Sequence, residues 1–197
     1  MKIPNFLLAL ANLKGLPKLR QEVCTNHMKK IITLLFFSYS TIFAQDTPKL
    51  EFFCELQVKL NPALTVGETA HGTRRIIPII GGTVEGPGMK GEIINGGADW
   101  QVVRKDGVTE LEAHYQFKAD DGSIIYVKNT GVRVASPEVA ARIARGEKVD
   151  ASQYYFRAVP KLEAPLSSKY AWINDTIFVC TGERMPDAVK IRIYKLR

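Results

Sequence analysis

The feature that most constrains this chain is strict apolar–polar alternation in short segments bounded by glycine turns. Val108 to Lys118 shows it best: Leu111, Ala113, Tyr115 and Phe117 share one face, opposite Glu110, Glu112, His114 and Gln116. A period of two belongs to a half-buried strand and not to a helix. Lys105-Asp106-Gly107 precedes this segment and Asp120-Asp121-Gly122 follows it. Acidic residues that tolerate a turn, next to a glycine that supplies φ > 0, read as hairpins. Leu50 to Leu60 alternates in the same way, with Phe52, Cys54, Leu56 and Val58 on one face. Further strands are expected over Arg75–Val84, Met89–Ile94, Asp99–Arg104, Ser123–Arg133, Tyr155–Glu163, Tyr170–Thr181 and Ala188–Lys195, with Val66-Gly67-Glu68 in a loop. Ser136-Pro137-Glu138 opens one helix, which stops at Gly146: serine caps, proline suits the first turn and glutamate complements the dipole. About eight or nine short strands joined mostly by hairpins predict an all-β domain. The expected form is a single antiparallel β-barrel of about eight strands with one short helix, since closure leaves no bare edges. A barrel of about that size can just hold one small ligand.

The beginning of the chain has a different character. Met28-Lys29-Lys30, the apolar run Ile31 to Ala44 and polar Gln45-Asp46 have the order of a secretory signal peptide. Residues 1–27 are then an upstream extension, 28–44 the signal peptide with cleavage near Ala44, and 45–197 the barrel domain. The apolar run falls short of the roughly 20 residues of a membrane span. The expectation is a secreted or periplasmic protein without stable membrane insertion after processing. The formal net charge is +7, but Lys2, Lys14, Lys18, Arg20, Lys29 and Lys30 against Glu22 supply most of it. Acids and bases are interspersed in the remainder, which speaks against nucleic acid as a partner. Cys54 and Cys180 either pair in an oxidising compartment or pack as free thiols.

Several chemistries have no signature here. There is no P-loop, no dinucleotide fingerprint, no HExxH, no EF-hand loop, no CxxC pair and no Gly-x-Ser-x-Gly. His71 and His114 lie on separate segments, so neither a metal nor a cofactor is expected. What stands out is His71 to Trp100, where Gly81-Gly82, Gly86-Pro87-Gly88 and Gly96-Gly97 interrupt the strands. Such glycines read either as bulges at barrel corners or as backbone brought close to a ligand. Ionisable and aromatic residues flank them. Asp99 or Glu85 is a candidate for moving a proton, and Arg74, or Arg75 beside it, for holding a carboxylate or enolate oxygen. Trp100 and Trp172 are candidate stacking walls. Tyr115, Asn129, Arg157 and Asn174 are candidate ligand contacts, with core packing, ion pairing or turn formation as the alternatives. His114 reads as part of a solvated face, and Glu183-Arg184 as a solvated turn.

The blocks HGTRRIIPIIGGTVEGP, KGEIINGGADWQ, YVKNTGVR, YYFRAVPKLEA and YAWINDTIFVCTGER, in that order, resemble the domain-of-unknown-function 3237 family, the UPF proteins. The resemblance covers about Leu50 to Lys195. It implies a small barrel similar to allene oxide cyclase and the calycins, and attaches no catalytic role to any residue. The function expected is that of an exported small-molecule barrel. It would be a cofactor-independent isomerase, cyclase or lyase acting on a small carbonyl or aromatic compound, possible as a homo-oligomer. A non-catalytic ligand-binding barrel and a structural protein with a filled barrel are the alternatives.

Overall fold

The computed structural model describes residues 47–197; the expected extension and signal peptide lie outside the described residues. In chain order the elements are β1 (Leu50–Leu60), β2 (Leu64–Thr69), β3 (Gly72–Glu85), β4 (Gly91–Val103), β5 (Thr109–Ala119), β6 (Ile124–Ala135), α1 (Pro137–Ala144), β7 (Tyr154–Glu163), β8 (Phe178–Arg184) and β9 (Ala188–Leu196). The strands run in the order β1-β9-β8-β7-β6-β5-β4-β3, and β3 returns to pair with β1. Eight antiparallel strands therefore close a barrel, with β2 outside the ring as a partner for the first part of β3.

Closure depends on irregular positions that alternation alone does not reveal. The register of β3 slips between Ile79 and Gly82, and that of β4 between Ile94 and Ala98. The glycine pairs are thus bulges that bend continuous strands, and the segments expected separately at Met89–Ile94 and Asp99–Arg104 are one strand. A third slip, between Phe52 and Cys54, turns Phe53 into the core and leaves Phe52 outside, the reverse of the simple alternation. Val66-Gly67-Glu68, expected as a loop, belongs to β2. The expected strand from Tyr170 begins only at Phe178, because Ala171–Asp175 forms a 3-10 turn.

Inward side chains divide the barrel into a filled half and an open half. Phe117, Phe178, Leu56, Ile125, Leu162 and Ile193 are almost free of solvent and pack the filled half. Each such side chain stabilises the fold by about 1.5–3 kcal/mol through apolar burial. Toward the other end the inward positions turn polar at Asn129 and Arg133. The helix α1 starts as expected, with the Ser136 hydroxyl accepting from the Val139 N–H at 3.3 Å. Its last turn and Gly146 lie over the open end.

Candidate functional site

The open half holds two adjoining hollows. An inner chamber of about 40 Å³ has apolar walls that include Ile79, Leu111 and Phe156, and polar groups from Asp99, Tyr115 and Asn129. A few waters, or the narrow end of a ligand, fill such a volume. Outside it lies a mouth of about 370 Å³, bordered by Arg75, Arg133, Arg184, Arg145 and Asp187. Leu60, Ile77, Gln101, Arg133 and Arg184 line both. The mouth alone falls within the range of small-molecule sites.

Strand pairing assembles these groups from distant parts of the chain. Asp99 on β4 lies beside Ile77 on β3 and Ala113 on β5, and Asn129 on β6 is next across from Ala113. Gln101 follows two residues after Asp99 and so shares its inward face. The Asp99 carboxylate is held on both oxygens: Oδ1 accepts from the Glu112 N–H at 3.1 Å and Oδ2 from the Gln101 amide at 2.6 Å. The Gln101 carbonyl in turn accepts from the Arg75 Nη2 at 2.8 Å. A chain of hydrogen bonds thus runs from mouth to chamber, Arg75 to Gln101 to Asp99.

The electrostatics of this chain are unusual. Burial raises the Asp99 carboxyl above the ordinary carboxylate range, against the opposing pull of Gln101, the Glu112 amide, Arg133 and Arg75. Burial also lowers the guanidinium of Arg133, with repulsion from Arg75 and Arg184, to about 10. Arg75 and Arg184 are lowered by burial as well. All these arginines stay charged at neutral pH. The Arg75 Nε is buried without a hydrogen-bond partner. Arg184 is anchored through Nη1 to the carbonyls of Met185 and Ala188, the latter at 2.6 Å. Tyr115 is deep in the barrel, and burial pushes its phenol far up, so it serves as a neutral hydroxyl. Beyond Asn129 lies the Cys180 thiol, 3.7 Å from its Nδ2. Cys54 and Cys180 are buried free thiols.

Of the residues singled out from sequence, Asp99, Tyr115 and Asn129 meet in the chamber. The others lie elsewhere. Arg74 follows the opposite pleat of β3 from Arg75, and it is Arg75 that borders the mouth. Glu85 is exposed at the far end of β3, paired with Glu55 of β1. Trp100 is on the outer wall, edge-on to His114 at 5.5 Å. Arg157 is also outside, over the Tyr155 ring and bonded to the Phe156 carbonyl. Trp172 packs against Phe53 beside the filled end. Asn174 bonds to the Ala164 N–H and to the Ala164 and Ala171 carbonyls, which makes it a loop clamp. Gln101, Arg133 and Arg184 were not among the candidates. Gln101 and Arg133 were legible from alternation with Asp99 and Asn129. Arg184, expected in a solvated turn, falls on the Phe178–Cys180–Gly182 face once the strand starts at Phe178. Among the described residues no three His, Cys, Asp or Glu side chains converge as a metal site would need.

The chain can be set beside known proteins at this point. The family described as "Protein of unknown function (DUF3237)" matches residues 48–196. A UPF0311 protein of Clostridium acetobutylicum is 42% identical over 135 residues, which are 68% of this chain and 85% of that protein. The crystal structure of a conserved protein of unknown function from Rhodopseudomonas palustris superposes with a TM-score of 0.74 at 35% identity, covering 78% of this chain and 100% of that one. More distant is a hydroalkoxylation enzyme of Penicillium herquei, 27% identical over 111 residues, which are 56% of this chain and 72% of that enzyme.

Proposed function

The chain belongs to the DUF3237 family, and from that premise we propose that it is a proton-transfer enzyme, an isomerase or cyclase for a small carbonyl or aromatic compound, with Asp99 as the acid–base group. The observation that carries this reading is the Asp99 carboxyl in the wall of an apolar chamber that adjoins a cationic mouth. Its environment moves its proton affinity toward neutrality, as acid–base catalysis requires. As a carboxylate, Asp99 takes a proton from the carbon next to a substrate carbonyl. The electron pair moves into a C=C bond, and the negative charge gathers on the carbonyl oxygen. Arg133 stabilises that enolate oxygen. Where the substrate carries a C=C bond β,γ to the carbonyl, the anion is a dienolate and Asp99 returns the same proton to its γ carbon, so the double bond moves into conjugation and the isomerisation closes without an electron acceptor. Gln101 and the Glu112 N–H orient the carboxyl throughout.

The Penicillium herquei relative lends support. Hydroalkoxylation adds the O–H of an alcohol across a C=C bond, with a C–O bond formed at one carbon and a C–H bond at the other, so a proton is removed from oxygen and one is delivered to carbon. Export, expected from Met28 to Ala44, is part of the proposal, and N-terminal sequencing of protein from an exporting host tests it; an intact Met1 refutes it. The catalytic reading is tested by exchange of the C3 hydrogens of phenylpyruvate and of its methyl ester in deuterated water, followed by proton NMR. The wild type accelerates exchange, and Asp99→Asn loses about 10²–10⁴-fold of that acceleration while still binding the probe. Exchange that survives Asp99→Asn sinks the proposal. Binding without exchange by the wild type leaves a ligand-binding barrel.

A further inference from the structure

The mouth asks for an explanation that Asp99 does not supply. Arg75, Arg133 and Arg184 come from β3, β6 and β8 and border one hollow. Bringing three like charges together away from water is unfavourable: burial lowers the proton affinity of all three, and repulsion adds to it at Arg133 and Arg184. Arg133 is only 6% exposed, yet it is placed there. The acids at hand do not neutralise the group. Asp99 is one step removed, joined to Arg75 through Gln101. Asp187 stands on the rim near Arg184. The fourth arginine, Arg145, shares the Glu147 carboxylate with Arg142 and stands outside the three-arginine cluster. With Asp99 and Asp187 both ionised, the cluster keeps one unneutralised positive charge. It also keeps a buried Arg75 Nε without an acceptor.

We infer that Arg75, Arg133 and Arg184 form a carboxylate-binding subsite, so that the substrate is a small organic acid whose carboxylate sits in the mouth and whose reactive carbon reaches toward Asp99. The orientation rests on the acid–base reading of Asp99; the anion site does not. Guanidinium groups present planar, forked donors that match the two oxygens of a carboxylate. One such group neutralises the residual charge, whereas a phosphate dianion leaves the mouth negative. The apolar chamber then receives the remainder of the acid, whose polarity falls away from the carboxylate. Asymmetry of this kind fixes which end of the ligand enters first. It also explains a cluster of charges that the fold does not need.

Calorimetry with three aromatic probes tests this: cinnamate, its isosteric neutral amide cinnamamide, and phenyl phosphate as an aryl anion of higher charge. The wild type is expected to bind cinnamate about 10- to 100-fold more tightly than the amide, with phenyl phosphate weaker than cinnamate. Arg133→Met, a volume-preserving change, is expected to remove the acid–amide preference and keep amide binding. Arg75→Gln is expected to reduce the preference and serves as the second variant should Arg133→Met fail to fold. Equal affinity for acid and amide overturns the inference. So does a preference that survives in a folded variant, tighter binding of phenyl phosphate, or no binding of any probe at about 10 mM. A wild type that binds acid and amide equally while its Asp99-dependent exchange is intact refutes the carboxylate subsite alone. An Asp99→Asn enzyme that still exchanges refutes the catalytic reading alone.

Discussion

The wall formed by β4, β5 and β6 carries two clusters of ionisable and aromatic residues, one on each side. Inside are Asp99, Gln101, Tyr115, Asn129 and Arg133. Outside, His114 bonds through Nδ1 to the Tyr126 hydroxyl at 2.5 Å and through Nε2 to Glu112 at 3.1 Å, and Lys128 pairs with the same Glu112 at 3.4 Å. The outer cluster has the histidine and the tyrosine most often associated with catalysis. Its groups also have partners of opposite charge and access to water. The inner residues, together with Arg75 of β3 and Arg184 of β8 that border them, carry a surplus of positive charge and a donor with no acceptor. The difference teaches that a site is marked less by how many interactions its residues make than by which of them the protein leaves unmade.

The strongest way to break the comparison is at the bulge that serves both faces. A Cβ on Gly97 would lie 2.4 Å from the Tyr115 Cβ and 2.6 Å from the His114 carbonyl oxygen, forcing β4 away from β5 beside the chamber. Gly97→Ala is expected to cost about 3 kcal/mol in urea unfolding, the upper end of overpacking, and to impair the site as well. At Gly96 the φ is +118° and the nearest atom to an added Cβ is the Gln116 Nε2 at 3.8 Å. Gly96→Ala is expected to cost about 1–2 kcal/mol of backbone strain alone and to leave probe binding unchanged. Equal effects of the two on binding would mean that the wall does not separate its faces.

A second test inverts the usual sign of a core substitution. Burial, with repulsion from Arg75 and Arg184, lowers the Arg133 guanidinium to about 10, so its charged form is disfavoured in the folded state at every pH below that value. Arg133→Met should therefore raise stability at pH 7 by about 1–3 kcal/mol, seen as a higher Tm. Lys128→Met on the outer face should change it by less than about 1 kcal/mol. A destabilised Arg133→Met would show that the cluster is structural.

This contrast also explains what sequence could and could not reveal. The all-β class, the closure of the barrel and the start of the helix at Ser136 follow from local periodicity and capping, and the structure has them. The site was half legible. Asp99 and Trp100, read together as one site, are neighbours in a strand and so must face opposite sides of the wall. The same rule separates Arg74 from Arg75. Applied strictly, period two points from Asp99 to Gln101 and from Asn129 to Arg133. What it cannot carry is alternation across a slip: the bulge at Phe52–Cys54 puts Phe53 inside in place of Phe52 while Cys54, Leu56 and Val58 keep the expected face, and the late start of β8 hid Arg184. Convergence of Arg75, Arg133 and Arg184 needs the ring order of the strands, which no local pattern encodes.

The smallest expected effects set two carboxylates of the same wall against each other. Asp99 is raised by burial, so the folded protein holds its proton more tightly than the unfolded chain does. Its ionised form weakens the fold above the folded-state pKa, and that penalty is relieved as pH falls through this value toward about 3.9. Glu112 is lowered by its bonds to His114 and Lys128. It contributes stability that is present above about 4.3 and lost as pH falls through its folded-state pKa. Because Glu112 is exposed, its contribution stays below about 1 kcal/mol. Relative to wild type, Asp99→Asn should therefore gain stability at pH 7 and lose that gain in acid. Glu112→Gln should show a small loss at pH 7 that disappears in acid. Urea unfolding of both variants across this range measures the two slopes. Slopes of the same sign would mean that Asp99 behaves as a solvated carboxylate, and the inner face would then have no distinct electrostatic character.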